Sequence, residues 1–268
     1  MENIGFLLPL MIFVVVLCNS ATTFLAESPN NTIDQLALLT LKAHVTHDPY
    51  NLLATDWNSA TSVCSWIGVT CGSNHQRVIT LDLTNMSLIG TIPPHLGNLS
   101  FLSHLNIRFN HFHGSLPMEL ANLSSLEYIN FGHNNFSGEI PLWFDSFTQL
   151  QRLLLYNNCF SDVIPSSLGS LSNLEELILS YNDLKGQIPT AIGNLSNLKW
   201  LYLDNNQLSD WDFCFLVAFA CVSAFTGILE LLVLLFVDRR WFHFDWVFAG
   251  RWLCCSDFWD VFHLLVVL

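Results

Sequence analysis

The apolar positions between Val78 and Ser209 return on a fixed step of 24 residues. Leu81, Leu105, Ile129, Leu153, Leu177 and Leu201 form one column, and Leu83, Ile107, Phe131, Leu155, Leu179 and Leu203 form a second, two residues later. A spacing of two puts paired apolar residues on one face of an extended strand and the residues between them on the other. No single turn can bury its own apolar side chains, whereas stacked turns share one core and line up their strands in parallel. Each fully buried leucine contributes about 1.5–3 kcal/mol. That gain offsets the ordering cost only when a neighbouring turn covers the residue.

Three further columns complete the repeat. An amide column runs Asn110, Asn134, Asn158, Asn182 and Asn206, with Met86 in its place in the first turn. A short amide offers both donor and acceptor where the chain turns inward and backbone groups lose their strand partners. Gly90, Gly114, Gly138 and Gly186 are expected to supply freedom in the next bend, and Asp162 replaces glycine in the fourth turn. Pro93, Pro117, Pro141, Pro165 and Pro189 follow, opening what is read as a short helical segment on the convex side. A period held this strictly is the signature of a leucine-rich repeat. It predicts an α/β solenoid of five full turns and a partial sixth over residues 78–209.

The two ends carry the rest of the apolar excess. Ile4 to Leu17 followed by small and polar residues reads as a signal peptide, residues 1–23. Secretion fits the sugar-acceptor triplets at Asn30, Asn85, Asn98, Asn122, Asn135 and Asn194. Residues 24–77 read as an amino-terminal cap. Thr32 and Gln35 read as a capping box opening a helix that runs through Asp34 to His44 and stops at Asp48-Pro49. The apolar face of that helix needs cover, and the open edge of the first repeat is the surface available. In an oxidising compartment Cys64 and Cys71 read as a disulfide. A net charge of −13 argues against nucleic acid as a partner.

Asp34-Gln-Leu-Ala-Leu-Leu, Trp57-Asn, Cys64-x-Trp66-x-Gly68-Val-x-Cys71 and the Asn-x-Leu-x-Gly-x-Ile-Pro turns resemble the ectodomains of plant leucine-rich-repeat receptor kinases, near the subgroup of immune pattern-recognition receptors. The resemblance covers roughly residues 31–209. It implies a signal peptide, a disulfide-bonded helical cap, a right-handed horseshoe-shaped solenoid, one membrane span and a cytoplasmic kinase. After Ser209 none of the kinase motifs is found: no Gly-rich loop, no Val-Ala-Ile-Lys strand, no His-Arg-Asp and no Asp-Phe-Gly.

Residues 210–268 break the period, with Asp210 at the glycine position and Phe213 at the proline position. Two compatible readings stay open. The stretch is rich in residues with T- and G-rich codons, which points to non-coding or frame-shifted sequence. Residues 213–237 are also long and apolar enough for a membrane span, with Arg239 and Arg240 as a basic inner boundary. The protein would then lie at the plasma membrane with its repeats outside, or in the apoplast if the tail does not insert.

No catalytic set, cofactor motif or metal-ligand spacing is found. His111, His113 and His133 raise the question of a metal, but His111 and His113 read as solvated residues of a turn; Cys159 reads as a half-buried thiol, and Trp143 and Phe144 as convex-side packing. Binding chemistry is expected on the inner wall, at His104, Arg108, Phe109, Tyr128, His133, Arg152, Tyr156, Glu176, Tyr181, Trp200 and Tyr202. Tyr, Trp and Arg are the side chains that dominate interface energies. The expected function is a non-catalytic recognition module for a peptide or protein ligand, with a co-receptor leucine-rich-repeat kinase as partner. The alternatives are a secreted inhibitor of a foreign enzyme and a truncated product without a role of its own.

Overall fold

The computed structural model describes residues 29–209 and three short strands at 232–234, 236–237 and 240–241. In chain order β1 (Val45–His47) and β2 (Val69–Cys71) belong to the cap, and β3 (Val78–Asp82) and β4 (Ile89–Gly90) to the first turn. The next turns supply β5 (His104–Asn106) and β6 (His111–Gly114), β7 (Tyr128–Asn130) and β8 (Asn135–Glu139), and β9 (Arg152–Leu154) and β10 (Cys159–Asp162). The last two supply β11 (Glu176–Ile178) and β12 (Asp183–Gly186), then β13 (Trp200–Tyr202) and β14 (Gln207–Leu208). Each turn thus contributes one strand to an inner sheet and one to an outer sheet.

The inner sheet runs β2-β3-β5-β7-β9-β11-β13, and its repeat strands are parallel. Leu81 pairs with Leu105, then Ile129, Leu153, Leu177 and Leu201, so the sequence column is the strand register. All six side chains are buried in the single core that runs the length of the coil. Phe112, Phe136 and Phe160 stack within it at centroid separations of 6.4 and 6.3 Å.

The amide column does what its chemistry suggests. Asn134 Nδ2 donates to the carbonyls of Ile107 (3.0 Å) and Phe131 (3.1 Å), while its Oδ1 accepts the Phe112 N–H (2.9 Å). Asn110, Asn158, Asn182 and Asn206 repeat the pattern. Each amide therefore serves the turn before its own. No repeat precedes the first turn, so Met86 can occupy the position as a buried apolar side chain.

In the next bend Gly114, Gly138 and Gly186 have φ of +83°, +89° and +75°, and Asp162 accepts the same region at +68°. Gly90 departs from the expectation: it lies outside that region, and a Cβ there would sit 2.4 Å from the His44 carbonyl oxygen. It is small because the cap packs against it. After each column proline comes a five-residue 3₁₀ segment: Pro94–Asn98, Met118–Asn122, Leu142–Ser146, Ser166–Ser170 and Thr190–Asn194.

The cap closes the amino-terminal edge of both sheets, with β1 antiparallel to β4 and β2 antiparallel to β3. Its helix spans Pro29–His44, so Thr32 and Gln35 lie inside it and form no capping box. Proline at the first helical position starts the helix earlier. The helix also ends before Asp48, whose carboxylate instead accepts the N–H groups of Leu52, Leu53 and Ala54 and caps the short helix Leu52–Asp56. Asp34 is buried and grips Arg77 through two bonds of 2.9 and 2.8 Å, while also accepting the Val78 N–H. The Arg77 guanidinium lies 4.7 Å from the Phe101 ring. Trp57 and Trp66 stack at 5.5 Å beside the Cys64–Cys71 disulfide.

The expected signal peptide, the Asn30 side chain and most of the 213–237 stretch lie outside the described residues. Of that stretch β15 (Leu232–Leu234) pairs in parallel with β13, extending the inner sheet. Phe236–Val237 pairs with Arg240–Trp241. Among the described residues no helix is long and apolar enough to cross a membrane.

Candidate functional site

Strand alternation fixes which side chains the inner wall presents, and the 24-residue register aligns them in files. In the first file His104 and Tyr128 stack at 6.0 Å, and Arg152 lies 3.7 Å from Glu176. Burial raises the Glu176 pKa, and Arg152 opposes that only in part. Trp200 closes the file and stacks on Tyr202 at 6.5 Å. Burial, with the charges of Glu176 and Asp204, raises the pKa of the Tyr202 phenol.

The second file runs Asp82, Asn106, Asn130, Leu154, Ile178 and Tyr202, and the third runs Arg108, Gly132, Tyr156, Ser180 and Asp204. Asn106 donates to Asp82 at 3.2 Å, and Asn130 donates to the Tyr128 hydroxyl at 3.0 Å while accepting the Gly132 N–H at 3.0 Å. Tyr156 leans over Gly132 so closely that a Cβ there would lie 2.3 Å from the ring. Ser180 donates to Asp204, whose other oxygen accepts from the Asn205 amide at 2.7 Å.

The fourth file holds what the sequence did not disclose. Phe109, His133, Asn157, Tyr181 and Asn205 are all left-handed, with φ between +51° and +57°. The first four redirect the chain while their N–H groups keep bonds to the next turn, as from Phe109 to Gly132 and from His133 to Tyr156, both 3.0 Å. Asparagine and histidine are accepted in this region more readily than other side chains, but Phe and Tyr carry strain there. The asparagines in the column, Asn85 included, are the only hint the sequence offers. Phe109 stacks on His133 at 4.2 Å, and His133 meets the Tyr156 ring edge-on at 5.2 Å and the Asn157 amide at Nδ1. Burial first, then the Arg108 charge, lowers the His133 pKa.

Of the residues expected on this face, Arg108, Phe109, His133 and Tyr156 thus form one contiguous group. The others form pairs beside it, and Tyr181 stands on the rim, 56% exposed. Asn98, Asn122 and Asn194 end 3₁₀ segments on the convex side, and Asn135 opens β8 on the outer sheet; all four are exposed. Asn85 is exposed too, but it occupies the fourth file on the inner rim of the first turn. Cys159 is exposed, against the expectation of a half-buried thiol, because it faces outward on β10. His111 and His113 also face outward, on β6 and not in a turn. Phe144 is buried with Trp143 packed on it at 4.8 Å.

A stacked coil with a parallel inner sheet, an amide ladder and a sealed cap defines a leucine-rich-repeat protein. The chain belongs to that family: the family model described as "Leucine-rich repeat region" matches residues 65–245, more than half of it, and "Leucine rich repeat N-terminal domain" matches residues 32–72. Its homologues are the ectodomains of plant leucine-rich-repeat receptor-like kinases. The chain is 43% identical over 83 residues to the LRR receptor-like serine/threonine-protein kinase EFR of Arabidopsis thaliana, covering 31% of this chain and 8% of that one. It therefore spans under a tenth of that receptor's length. The HAESA ectodomain of the same plant, solved with an IDA peptide hormone ligand, superposes with a TM-score of 0.62 at 32% identity, covering 68% of this chain and 30% of that one. A chain of the Arabidopsis BIR3–SERK2 complex gives 0.60 at 32% identity over 67% of this chain and 96% of that one.

Proposed function

We propose that the protein is a non-catalytic extracellular recognition module of a receptor-like protein in plant signalling or defence. It binds a peptide or protein ligand on its inner wall, with a co-receptor leucine-rich-repeat kinase as partner. The observation that carries this reading is the contiguous group of Arg108, Phe109, His133 and Tyr156, set just past the ends of the inner-sheet strands, with Phe109 and His133 in left-handed positions. Four of the five exposed sugar-acceptor asparagines lie away from that wall, which leaves it open once glycosylated. The relatives solved with a peptide hormone and in the BIR3–SERK2 complex support the choice of partners.

The test is selection from a phage-displayed peptide library against the full glycosylated chain, with Tyr156→Ala/Tyr181→Ala/Trp200→Ala as counter-target. Peptides retained by the parent and lost from the triple variant support the reading. Retention equal on both would overturn it. Membrane fractionation after alkaline wash addresses the anchor: a sedimenting chain fits a receptor, and a soluble one fits the secreted inhibitor.

A further inference from the structure

A coil of stacked turns has an open edge at each end, and the last turn should expose its core there unless something covers it. In the sixth turn Leu195, Leu198, Leu201 and Leu203 are only 2–3% exposed, hardly more than Leu177 and Leu179 of the turn before, both at 0%. No further repeat is legible after Ser209, since Asp210 and Phe213 break the period. The leucine-rich-repeat match nevertheless runs on to residue 245.

The strand against that edge is β15. Trp200 is aligned with Leu232, Leu201 with Val233 and Tyr202 with Leu234, in parallel, as in the earlier pairs of repeat strands. The 24-residue step is not kept: it would put Ala224 beside Trp200, and Leu232 stands there instead. The extra length falls in the connection between β14 and β15, where added residues cost little. The outer sheet, by contrast, ends among the described residues at β14, which is two residues long. So short an edge offers little to pair with.

The local sequence suits a strand. Leu231 to Val237 is an unbroken apolar run between Glu230 and Asp238. That is the length of a strand buried on both faces, and too short to cross a bilayer. The longer span over residues 213–237 has to carry Glu230 into the hydrocarbon. A backbone paired with β13 at residues 232–234 cannot also belong to a membrane helix, whose backbone bonds all lie within itself. Arg240, half of the basic pair expected at the membrane boundary, is itself paired with Val237.

We propose that the carboxyl-terminal edge of the inner sheet is a docking surface for the chain's own residues 232–234, which close the coil as a seventh repeat strand in place of spanning a membrane. The closure keeps the core of the sixth turn dry and holds Trp200 and Tyr202 within the wall instead of at its margin. It stands whatever the inner wall binds.

The experiment is disulfide trapping in the full secreted chain. Aligned Cα atoms on neighbouring strands lie about 4.8 Å apart, within reach of a disulfide, and positions two residues out of register lie about 8 Å apart, beyond it. Trp200→Cys/Leu232→Cys should therefore yield a 200–232 link in mass-spectrometric peptide maps, roughly tenfold or more above the 200–234 link in Trp200→Cys/Leu234→Cys. Absence of the first link, or equal yields of the two, would overturn the closure. A second readout needs no cysteines: the β13 amides should exchange with hydrogen at rates within about tenfold of those of β11. At the position of Leu232 the earlier turns send the N–H back to the preceding turn, as from Trp200 to Glu175 at 3.1 Å. Leu234, two residues on, should point its N–H the same way. Leu234→Pro removes that donor and should speed exchange of β13 roughly tenfold or more while leaving β7 unchanged. A β13 that exchanges like a frayed edge in the parent, or that Leu234→Pro leaves unmoved, would overturn the closure as well. Each of these failures leaves the recognition reading standing.

Discussion

Asn158 Nδ2 holds the carbonyls of Phe131 and Leu155 and its Oδ1 holds the Phe136 N–H, all within the core. Replacing it with alanine strands those groups away from water, and a loss of about 2–3 kcal/mol is expected from the denaturant midpoint. Asn206→Ala, at the half-buried end of the column, should cost less. Equal losses would mean that burial is not what gives the ladder its worth. This column was legible because a short amide after an apolar pair has few other tasks. The left-handed file was not, because φ leaves a mark in sequence only where glycine or asparagine occupies it, and Phe109, His133 and Tyr181 hide it. His133 also makes a pH prediction. Its folded pKa lies below the ordinary 6.5, so the unfolded chain takes the proton first and stability declines as pH falls through that value. Glu176, with a raised pKa, acts in the opposite sense, its penalty easing on acidification. Denaturation at pH 7 and pH 5 should show a smaller acid loss in His133→Gln than in the parent.

At the scale of elements the cap decides whether the coil begins. Asp34→Ala leaves the buried Arg77 charge unpaired and should cost about 3–5 kcal/mol, more than the roughly 2–3 kcal/mol expected for Cys64→Ser/Cys71→Ser. Amide exchange of β2 should rise in both, and a cap that stays protected in Asp34→Ala would contradict the assignment of that ion pair. The helix, the disulfide and the role of edge cover could all be read from the sequence. The Asp34–Arg77 pairing could not, since the two residues are 43 apart and nothing local marks them as neighbours. The capping box was misread for a related reason: Thr32 and Gln35 have the right spacing, but Pro29 starts the helix before them.

For the whole molecule the 24-residue step fixed both the register of the inner sheet and the side chains it presents. Which of them touch depended on details the period does not carry, such as Tyr156 lying over the bare Gly132 and Arg152 turning to Glu176. Gly132→Ala should displace the Tyr156 ring and weaken peptide retention while leaving global stability nearly unchanged, as thermal melting would show. The central claim is that the coil works by offering its inner wall. The most direct measurement is hydrogen exchange of the full chain with and without a peptide selected on it. Protection should fall on β5, β7, β9, β11 and β13 and on the left-handed file beside them. Protection confined to the 3₁₀ segments or the outer sheet would contradict the claim.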